Sequence, residues 1–491
     1  MSCTAHKRPA FTPDTGYIKT LTIIPTRRNH PLMRITIALL FIVALAGCRT
    51  PAIDSAESQV SPPATWIAAH AQADDVQPAW IASFDSPELA NLVQAGIAGN
   101  HDLQATAATL QAAAARHRIA DDGRYPELDV NLNGDKSKRN SSGGVSITSA
   151  RTTSLGINLS AAWELDVWGR IRSQTAAAHA DYEASQADYQ AARLSLAAQI
   201  AKGWFGTATA RRQVDLSRQT LASFEKSQQI IEDRFRDGLT SSSSLDVRLG
   251  RANVAAARSR LAASQRVQQA AVRRLEVLLG QYPGATLATA GTLPHFPTQA
   301  PVGLPASLLS RRPDIAAAAR RVESAEFATD AARKARLPAI RLTGSRGTAS
   351  DEFQELLNSN FLVWNIAGGL TQPLFNAGEL KARVNLEEAL RDADLAAFAN
   401  TVLQAFHEVE TALDAEVWLQ QQEQALQVSV TESVEAETIA MEQYGDGIID
   451  IATLLVSQRR VFDARDALIQ IRNQRLQNRV DLHLALAGDF E

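Results

Sequence analysis

Apolar and polar side chains alternate with a period of two in four segments of this chain. This period predicts β-strands that have one apolar and one polar face. The segments are 128–132, 155–165, 340–342 and 362–374. The Ser-, Gly- and Lys-rich segment 136–150 is predicted to be the loop between the first two strands, and the loop between the other two contains 351–360. The pattern therefore predicts two β-hairpins.

The chain after each hairpin has the pattern of a long helix. Helix breakers are sparse from 170 to 237, and no glycine occurs from 379 to 444. One helix over 170–237 would be ~100 Å long. Large apolar residues recur in it at heptad spacing, at Tyr182, Tyr189 and Leu196, at Val214 and Leu221, and at Phe224 and Ile231. These stripes predict coiled-coil packing, with 239–280 and 448–488 as the returning helical arms.

The two halves of the chain repeat each other. The matched pairs are Gly169 with Gly378, Gly238 with Gly447 and Leu245 with Leu454 at an interval of 209 residues, and Asp102 with Asp314 and Arg124–Pro126 with Arg336–Pro338 at 212. Such self-similarity predicts two copies of one supersecondary unit. The change from 212 to 209 places a three-residue length difference between Pro126 and Gly169.

Boundaries between these units follow from local composition. Ser86 and Pro87 form a helix start with an N-cap and a proline at the first helical position. Trp66 and Trp80 are expected to fix the preceding segment to the body. The predicted organisation is a signal peptide (1–47), a lipidated linker (48–85), a first repeat (86–280, hairpin about 127–168), a proline-rich linker (281–310) and a second repeat (311–491, hairpin about 338–374).

The N-terminal segment has the features of an export signal. Arginines precede an apolar run from Ile35 to Gly47, whose 13 residues are fewer than the ~20 of a membrane-spanning helix. The run ends in Leu-Ala-Gly-Cys48, which resembles the lipobox of bacterial lipoproteins and makes Cys48 the expected acylation site. Either Met1 or Met33 fits as the initiator.

Composition agrees with an exported helical protein. Apolar residues make up 45% and aromatic residues 6%, and alanine dominates the apolar share, which suits closely packed helices. The only cysteines are Cys3 and Cys48, so loss of the first and acylation of the second would leave no disulfide. Without residues 1–47 the formal net charge becomes −9, which does not favour nucleic acid as a partner.

The alternating strands allow two interpretations in an exported protein. They are either hairpins on a soluble core or membrane-spanning strands that face lipid on one side and water on the other. A strand of ~10 residues is long enough to cross, and 155–165 has that length. Four strands are fewer than the ~8 of the smallest bacterial barrels, so spanning strands would require several chains to share one barrel. The pattern alone does not fix their number.

Several motifs resemble those of the outer-membrane efflux protein family (TolC-like), lipoprotein branch (OprM/NodT-like). They are the segments Trp163–Arg170, Leu304–Pro305, Arg311–Ile315, Leu374–Gly378 and Tyr444–Gly447, and they occur in the family's order within 66–490. The resemblance implies a mainly α-helical homotrimer with four strands per chain in a shared twelve-stranded β-barrel in the outer membrane. A periplasmic α-helical barrel would follow, with an equatorial belt from 49–85, 281–310 and the C-terminal end. It implies a passive exit duct without cofactors, which docks a periplasmic adaptor (membrane fusion) protein and an inner-membrane pump.

The same resemblance assigns roles at the ends of the helical hairpins. The implied adaptor-docking tips are Gly238, Leu239, Thr240, Gly447, Ile448 and Ile449, and the implied aperture residues are Tyr444, Asp446, Asp450, Thr453, Val456 and Asp246. Val456 stands where the family often has an aspartate. The constriction is therefore either acidic, through Asp446 and Asp450, or hydrophobic, through Val456; a third interpretation makes these acids solvated helix-end charges.

Delivery to the outer membrane is the expected destination. Arg49 follows Cys48 at a position where lipoproteins retained in the inner membrane often have aspartate. One acyl chain gives marginal affinity for a membrane, so the strands are expected to provide most of the attachment to outer-membrane lipid.

Two other functions compete with the duct. A periplasmic coiled-coil lipoprotein scaffold without a pore would share every helical feature. An exported enzyme has little support, because the histidines are scattered and no metal-ligand spacing or Gly-x-Ser-x-Gly motif occurs. Ser223 and Lys226 fit a Ser-x-x-Lys pattern, but its companion motifs are absent and it lies within a predicted helix.

Overall fold

The structure is a computed structural model that describes residues 65–68, 80–143, 146–238, 243–288, 293–294 and 311–487. The signal peptide, Cys48, Leu239 and Thr240 lie outside the described residues.

The first repeat contains four helices and one β-hairpin. They are α1 (Pro87–Gly99), α2 (His101–Asp122), β1 (Glu127–Gly143), β2 (Ser146–Leu165), α3 (Arg170–Arg236) and α4 (Ser244–Leu278), preceded by a 3₁₀ turn at Trp80–Phe84. Ser86 caps α1 by accepting the backbone N–H of Leu89, as predicted. Helix α1 ends at Gly99, and the Asn100 side chain caps α2 by accepting the backbone N–H of Leu103.

In its described residues the second repeat reproduces the hairpin of the first and the helices α2, α3 and α4, each with a helix of the same length. Its elements are α5 (Pro313–Lys334), β3 (Ala339–Ser350), β4 (Leu362–Thr371), α6 (Glu379–Gly445) and α7 (Ile451–Ala485). The matched helices have 22 residues (α2 and α5), 67 residues (α3 and α6) and 35 residues (α4 and α7). Helix α3 packs against α2, α4, α5 and α7, and α6 packs against α5 and α7.

The interval predicted for the returning arms is wrong. The N-caps of α4 and α7 are Ser243 and Asp450, which are 207 rather than 209 residues apart. Leu454 is completely buried, whereas its predicted counterpart Leu245 is 63% exposed. The residue that corresponds to Leu454 at the interval of 207 is the partly buried Val247. The first tip is therefore two residues longer, a difference that the sequence comparison had not contained.

The four strands form one antiparallel sheet in the order β1-β2-β3-β4. The predicted loop 136–150 is wrong, because β1 and β2 stay paired up to Gly143 and Ser146. Backbone hydrogen bonds hold this extension, and they do not depend on an apolar face. The fourth strand is also shorter than predicted, because β4 ends at Thr371 and Leu374 lies after it. The second loop, which contains 351–360, is confirmed.

The described residues form three apolar core clusters along the helices. The first joins the 3₁₀ turn, α1, α3, α4 and α7 around Trp80, Phe84 and Phe205. The second joins α5, α6 and α7, and Trp66 is buried in it. The third lies at the tips of the long helices and includes Ile231 and Leu454. Burial of Trp66 and Trp80 agrees with the expectation that they fix the N-terminal segment to the body. Among the described residues, no helix combines the length and apolar character that a membrane span requires.

Candidate membrane sheet and periplasmic tips

One face of the sheet is mainly apolar on all four strands, with Arg346 as its charged residue. The register aligns Leu128 with Ala161, Ala161 with Gly344 and Gly344 with Ile366, and the next rung on this face contains Val130, Leu159, Arg346 and Trp364. Val130 is 72% exposed and Ile366 is 78% exposed. A contiguous exposed apolar surface of this kind indicates contact with lipid or protein.

The opposite face of the same sheet is polar. Asp129, Ser160, Ser345 and Asn365 share one rung, and the side-chain amide of Asn131 donates a hydrogen bond of 2.9 Å to Ser160. A sheet with these two faces separates an apolar medium from an aqueous one.

Strands β1 and β4 are the edges of the sheet within this chain. The outer backbone N–H and C=O groups of both strands therefore lack partners in the sheet. Unpaired strand edges are excluded from lipid, so the sheet must be completed by other strands before its apolar face enters a membrane.

The Trp-Glu-Leu-Asp-Val-Trp-Gly-Arg segment joins the sheet to the helices. The indole N–H of Trp163 donates to the carbonyl of Arg124 at 3.0 Å, and that of Trp168 donates to the carbonyl of Pro338 at 2.8 Å. Tryptophan favours the boundary between lipid and water, where its ring is apolar and its N–H finds a partner. The Asp166 carboxylate accepts the first backbone N–H groups of α3, from Ile171 at 3.0 Å and Arg172 at 2.8 Å. The motif thus fixes the angle at which the strand continues into the long helix.

The tips of the helical hairpins begin with left-handed glycines. Gly238 has φ +73° and Gly447 has φ +76°, a backbone region that residues with a Cβ rarely adopt. At the second tip the Gly447 N–H donates to Tyr444 and the Ile448 N–H donates to Gln443, at 3.1 and 2.9 Å. This pair of bonds is a Schellman motif, which ends α6 and starts the turn.

Arg234 connects the two tips, and the sequence analysis did not identify it. Its guanidinium lies 5.0 Å from the ring centroid of Tyr444 and donates to the carbonyls of Tyr444 and Gly445, the latter at 3.1 Å. A cation at the C-terminal end of α6 also interacts favourably with the helix dipole. Tyr444 is only 4% exposed, so within one chain it lies between the tips. One indication of this role was present in the sequence. At the interval of 209 residues Arg234 corresponds to Gln443, so the two copies of the repeat differ at this position.

Two of the predicted aperture acids cap helices. Asp450 accepts the backbone N–H and the hydroxyl of Thr453 at 2.8 and 2.7 Å, and these side-chain and backbone hydrogen bonds lower the pKa of Asp450. Asp246 accepts the Ser243 N–H at 2.7 Å in a capping box. Both carboxylates are therefore engaged within their own turns.

The remaining tip residues are accessible to different extents. Asp446, Gly447, Ile448, Thr453 and Val456 are exposed, whereas Ile449 packs against the tip cluster. The tips thus present both an acid and apolar side chains to their surroundings.

A buried polar cluster sets the register of the long helices below the tips. The Gln458 side-chain amide, on α7, donates to the hydroxyls of Ser223 and Ser227 at 2.9 and 2.8 Å, and Ser223 donates to Glu437 on α6 at 3.2 Å. Ser223 is the serine of the Ser-x-x-Lys pattern, and here it joins three helices. Polar groups buried in this way tolerate only one alignment of the helices, because another alignment would leave them without partners.

Carboxylates hold the segments that flank the repeats. Glu276 is buried and accepts the backbone N–H groups of Ala285, Thr286 and Leu287 at 2.7, 2.7 and 3.0 Å. Glu410 accepts those of Ile67 and Ala68 at 2.9 and 2.8 Å. Both segments belong to the predicted linkers.

The second-repeat counterpart of Glu276 is a histidine. His483 is buried against the ring of Trp80, at 5.7 Å between centroids. Burial, and then the charge of Arg479, lower the pKa of His483 to about 4. Among the described residues, no group of three or more His, Cys, Asp or Glu side chains is arranged to hold a metal ion.

Comparison with known proteins agrees with this architecture. The sequence profile of the family described as Outer membrane efflux protein matches residues 92–281 and 304–488. The chain is 32% identical to the outer membrane protein OprJ of Pseudomonas aeruginosa over 92% of this chain and 95% of that protein. It is also 32% identical to the pyoverdine export outer membrane protein OpmQ of Pseudomonas putida, over 91% and 96%.

Solved structures give the same result at the level of the fold. The outer-membrane channel OprN superposes with a TM-score of 0.82 at 28% identity, over 88% of this chain and 98% of that chain. The open state of the MtrE outer membrane channel of Neisseria gonorrhoeae superposes with a TM-score of 0.78 at 28% identity, over 89% and 97%. The two-repeat helical fold, the four-stranded sheet and these similarities show that the chain belongs to the outer membrane efflux protein family and is the non-enzymatic outer-membrane channel of a tripartite efflux pump.

Proposed function

We propose that three copies of this chain close one twelve-stranded barrel, with β4 of each copy beside β1 of the next. The observation that carries the proposal is the sheet itself, which is apolar on one face, polar on the other and unpaired at both edges. Three chains of four strands exceed the ~8 strands that the smallest bacterial barrels need. In this arrangement the apolar face contacts lipid and the polar face lines a water-filled exit.

The long helices continue this exit into the periplasm. A helix of 67 residues is ~100 Å long at 1.5 Å per residue. The duct is passive, because an inner-membrane pump does the work and a periplasmic adaptor joins the two. Gly238, Leu239 and Thr240, together with Gly447, Ile448 and Ile449, form the adaptor-docking tips.

Closure of the periplasmic end depends on contact between the tips. Arg234 binds the last carbonyls of α6 and covers the Tyr444 ring, so it holds the two helical hairpins of one chain together. Separation of the hairpins would widen the end of the duct. Asp446 and Val456 are exposed on the same tip and are the residues that contact a passing solute.

Acylation at Cys48 adds a second attachment to the outer membrane. The sequence around Cys48 supports this proposal, since it ends an apolar segment in Leu-Ala-Gly-Cys. Replacement of Cys48 by serine should abolish incorporation of radiolabelled palmitate and leave the protein in the outer membrane. Palmitate incorporation into the serine variant would contradict the assignment.

The cargo is set by the pump rather than by the duct. Similar proteins are described as exporting pyoverdine and as part of a toluene efflux pump, two chemically unrelated solutes.

Conductance of the purified protein in planar bilayers tests the channel and its closure together. Wild-type protein should run as a stable trimer and conduct weakly, and Arg234→Gln should increase conductance at least severalfold, because one cation–π contact and two charged hydrogen bonds are lost. Arg236→Gln is the matched control, since Arg236 lies on the same helix end and pairs with Asp233 at 2.8 Å. A monomer, or a trimer in which neither variant conducts, would instead support the periplasmic scaffold.

A further inference from the structure

The first hairpin extends beyond the rest of the sheet at the end away from the helices. Strand β3 ends at Ser350, opposite Leu155, while β1 and β2 continue as a two-stranded ribbon from the rung of Asp135 and Ser154 to that of Gly143 and Ser146. The ribbon therefore begins where the four-stranded sheet stops.

Three cations follow the apolar face onto this ribbon. Alternate residues of a strand share a face, so Lys136 and Lys138 continue the side of Leu132, and Arg151 continues the side of Leu155. Lys138 is directly opposite Arg151 in the register, and all three side chains are exposed. Like charges directly opposite each other in a sheet are destabilising unless an anion lies between them.

Acidic side chains of the described ribbon do not neutralise this cluster. Asp135 and Arg139 occupy odd positions of β1 and so lie on the opposite, polar face. The surface formed by Lys136, Lys138 and Arg151, here called the basic rim, thus has a net charge of three on a face that is otherwise apolar or uncharged, apart from Arg346.

The height of the basic rim places it at the edge of a bilayer. From Leu165 to Leu155 the apolar face rises by ten residues, or ~26 Å at ~3.4 Å per residue with a strand tilt of ~40°. This matches the ~25 Å apolar band of such barrels. Lys136 and Lys138 lie two and four rungs beyond Gly134, which corresponds to ~5–10 Å and to the depth of the polar headgroups.

We propose that the basic rim binds the phosphate groups of the phosphorylated glycolipid in the outer leaflet of the outer membrane. The inference rests on the proposed barrel, which turns the apolar face toward lipid. Guanidinium and ammonium groups both recognise phosphate, arginine through two parallel hydrogen bonds and lysine as a point charge. Arg346 lies on the same face but at the rung of Leu159, ~10 Å below the upper edge of the apolar band, so it is not part of the basic rim.

Binding of diphosphorylated lipid A to the full-length trimer in detergent tests the proposal. The variants are Lys136→Gln/Lys138→Gln/Arg151→Gln together and Lys138→Gln alone, with Arg139→Gln as the matched control on the opposite face of the same strand. Each cation near an anionic surface contributes about fivefold in affinity. The triple variant should therefore bind about 100-fold more weakly and Lys138→Gln about fivefold more weakly, while Arg139→Gln should differ from wild type by less than about twofold.

Three further probes separate the sources of phosphate. Dephosphorylated lipid A should bind wild type and triple variant equally, and phosphatidylglycerol or inorganic phosphate at the same concentration should not displace diphosphorylated lipid A. Equal binding of lipid A by wild type and triple variant, or an equal effect of Arg139→Gln and Lys138→Gln, overturns the proposal. Displacement by either competitor overturns the choice of glycolipid. The triple variant should still conduct, so loss of lipid binding is distinguishable from failure of the channel.

Discussion

The three matched pairs of helices in the two repeats are equal in length, whereas the hairpins and tips that join them differ. The helices of each pair have the same length, which is 22 residues for α2 and α5, 67 for α3 and α6, and 35 for α4 and α7. The hairpins do not, since β1 and β2 have 17 and 20 residues and β3 and β4 have 12 and 10. The tips differ by two residues, and Glu276 in one repeat corresponds to His483 in the other. Helices that pack side by side must keep a common length and register, but hairpins and tips can change because they meet lipid, water or other proteins.

The strongest test of the interval of 207 residues compares Leu454 with Leu245. Leu454→Ala should lower the free energy of unfolding by about 2–5 kcal/mol, because it leaves a cavity in the tip cluster. Leu245→Ala should change it by less than about 1 kcal/mol, because the side chain is exposed. Thermal unfolding followed by circular dichroism measures both. An equal loss of unfolding free energy in the two variants would contradict the interval of 207 residues and support that of 209.

The pair Glu276 and His483 predicts different responses to acid in the two repeats. The unfolded chain binds a proton at His483 below about pH 6.5, and the folded chain does so only below about 4. Stability should therefore fall by about 3 kcal/mol as the pH decreases through this window. His483→Gln should flatten the profile between pH 6.5 and 4, and His101→Gln, at an exposed position on α2, should not.

Glu276 should contribute at lower pH. Burial alone would raise its pKa, but the backbone N–H groups of Ala285, Leu287 and Thr286 outweigh burial and lower it. Its stabilising effect is present above the unfolded pKa of about 4.3 and is lost as the pH falls below that value. Unfolding of Glu276→Gln measured from pH 7 to 3 should thus differ most from wild type at neutral pH.

The two tip glycines should respond unequally to substitution. A valine at either position strains a backbone with positive φ by about 1–2 kcal/mol. At Gly447 the new Cβ would also lie 3.3 Å from Arg234 Nη2, whereas at Gly238 no atom of the residues that the structure describes lies within 4 Å of it. Gly447→Val should therefore reduce export more than Gly238→Val, with trimer levels unchanged for both. Drug susceptibility of cells and the trimer band in detergent report the two effects, and normal export by both variants would exclude a role for the tips.

Of these changes, shortening the first hairpin should have the smallest effect on trimer stability and conductance. Replacement of residues 137–152 by a two-residue Asn-Gly turn would make β1 and β2 about as short as β3 and β4. The barrel rungs from Glu127 to Gly134 remain, so trimer stability and conductance should stay within error of wild type. A collapsed trimer would show that the ribbon is part of the barrel wall.

The sequence predicted the helices and the sheet faces well because both follow from periodic apolar positions. The residues from Leu155 to Leu165 alternate without interruption, and the tip glycines identify the ends of the long helices. The ribbon was missed since Lys136 and Ser149 give no apolar signal, although their backbones are paired. Arg234 was missed because its partners are backbone carbonyls on a helix 210 residues away. The choice between an acidic and a hydrophobic constriction stays open, and the sequence alone did not show that Asp450 and Asp246 cap helices.

Equal helix lengths constrain how such a conduit can change its reach. A heptad removed from α3 alone would displace the Arg234 end of that helix by ~10 Å from the α6 terminus it holds. The same removal from α3, α4, α6 and α7 would keep every facing layer in register and give a shorter tube of unchanged cross-section. A change of tube length to suit a wider or narrower cell envelope therefore requires that one heptad be added to or removed from α3, α4, α6 and α7 together.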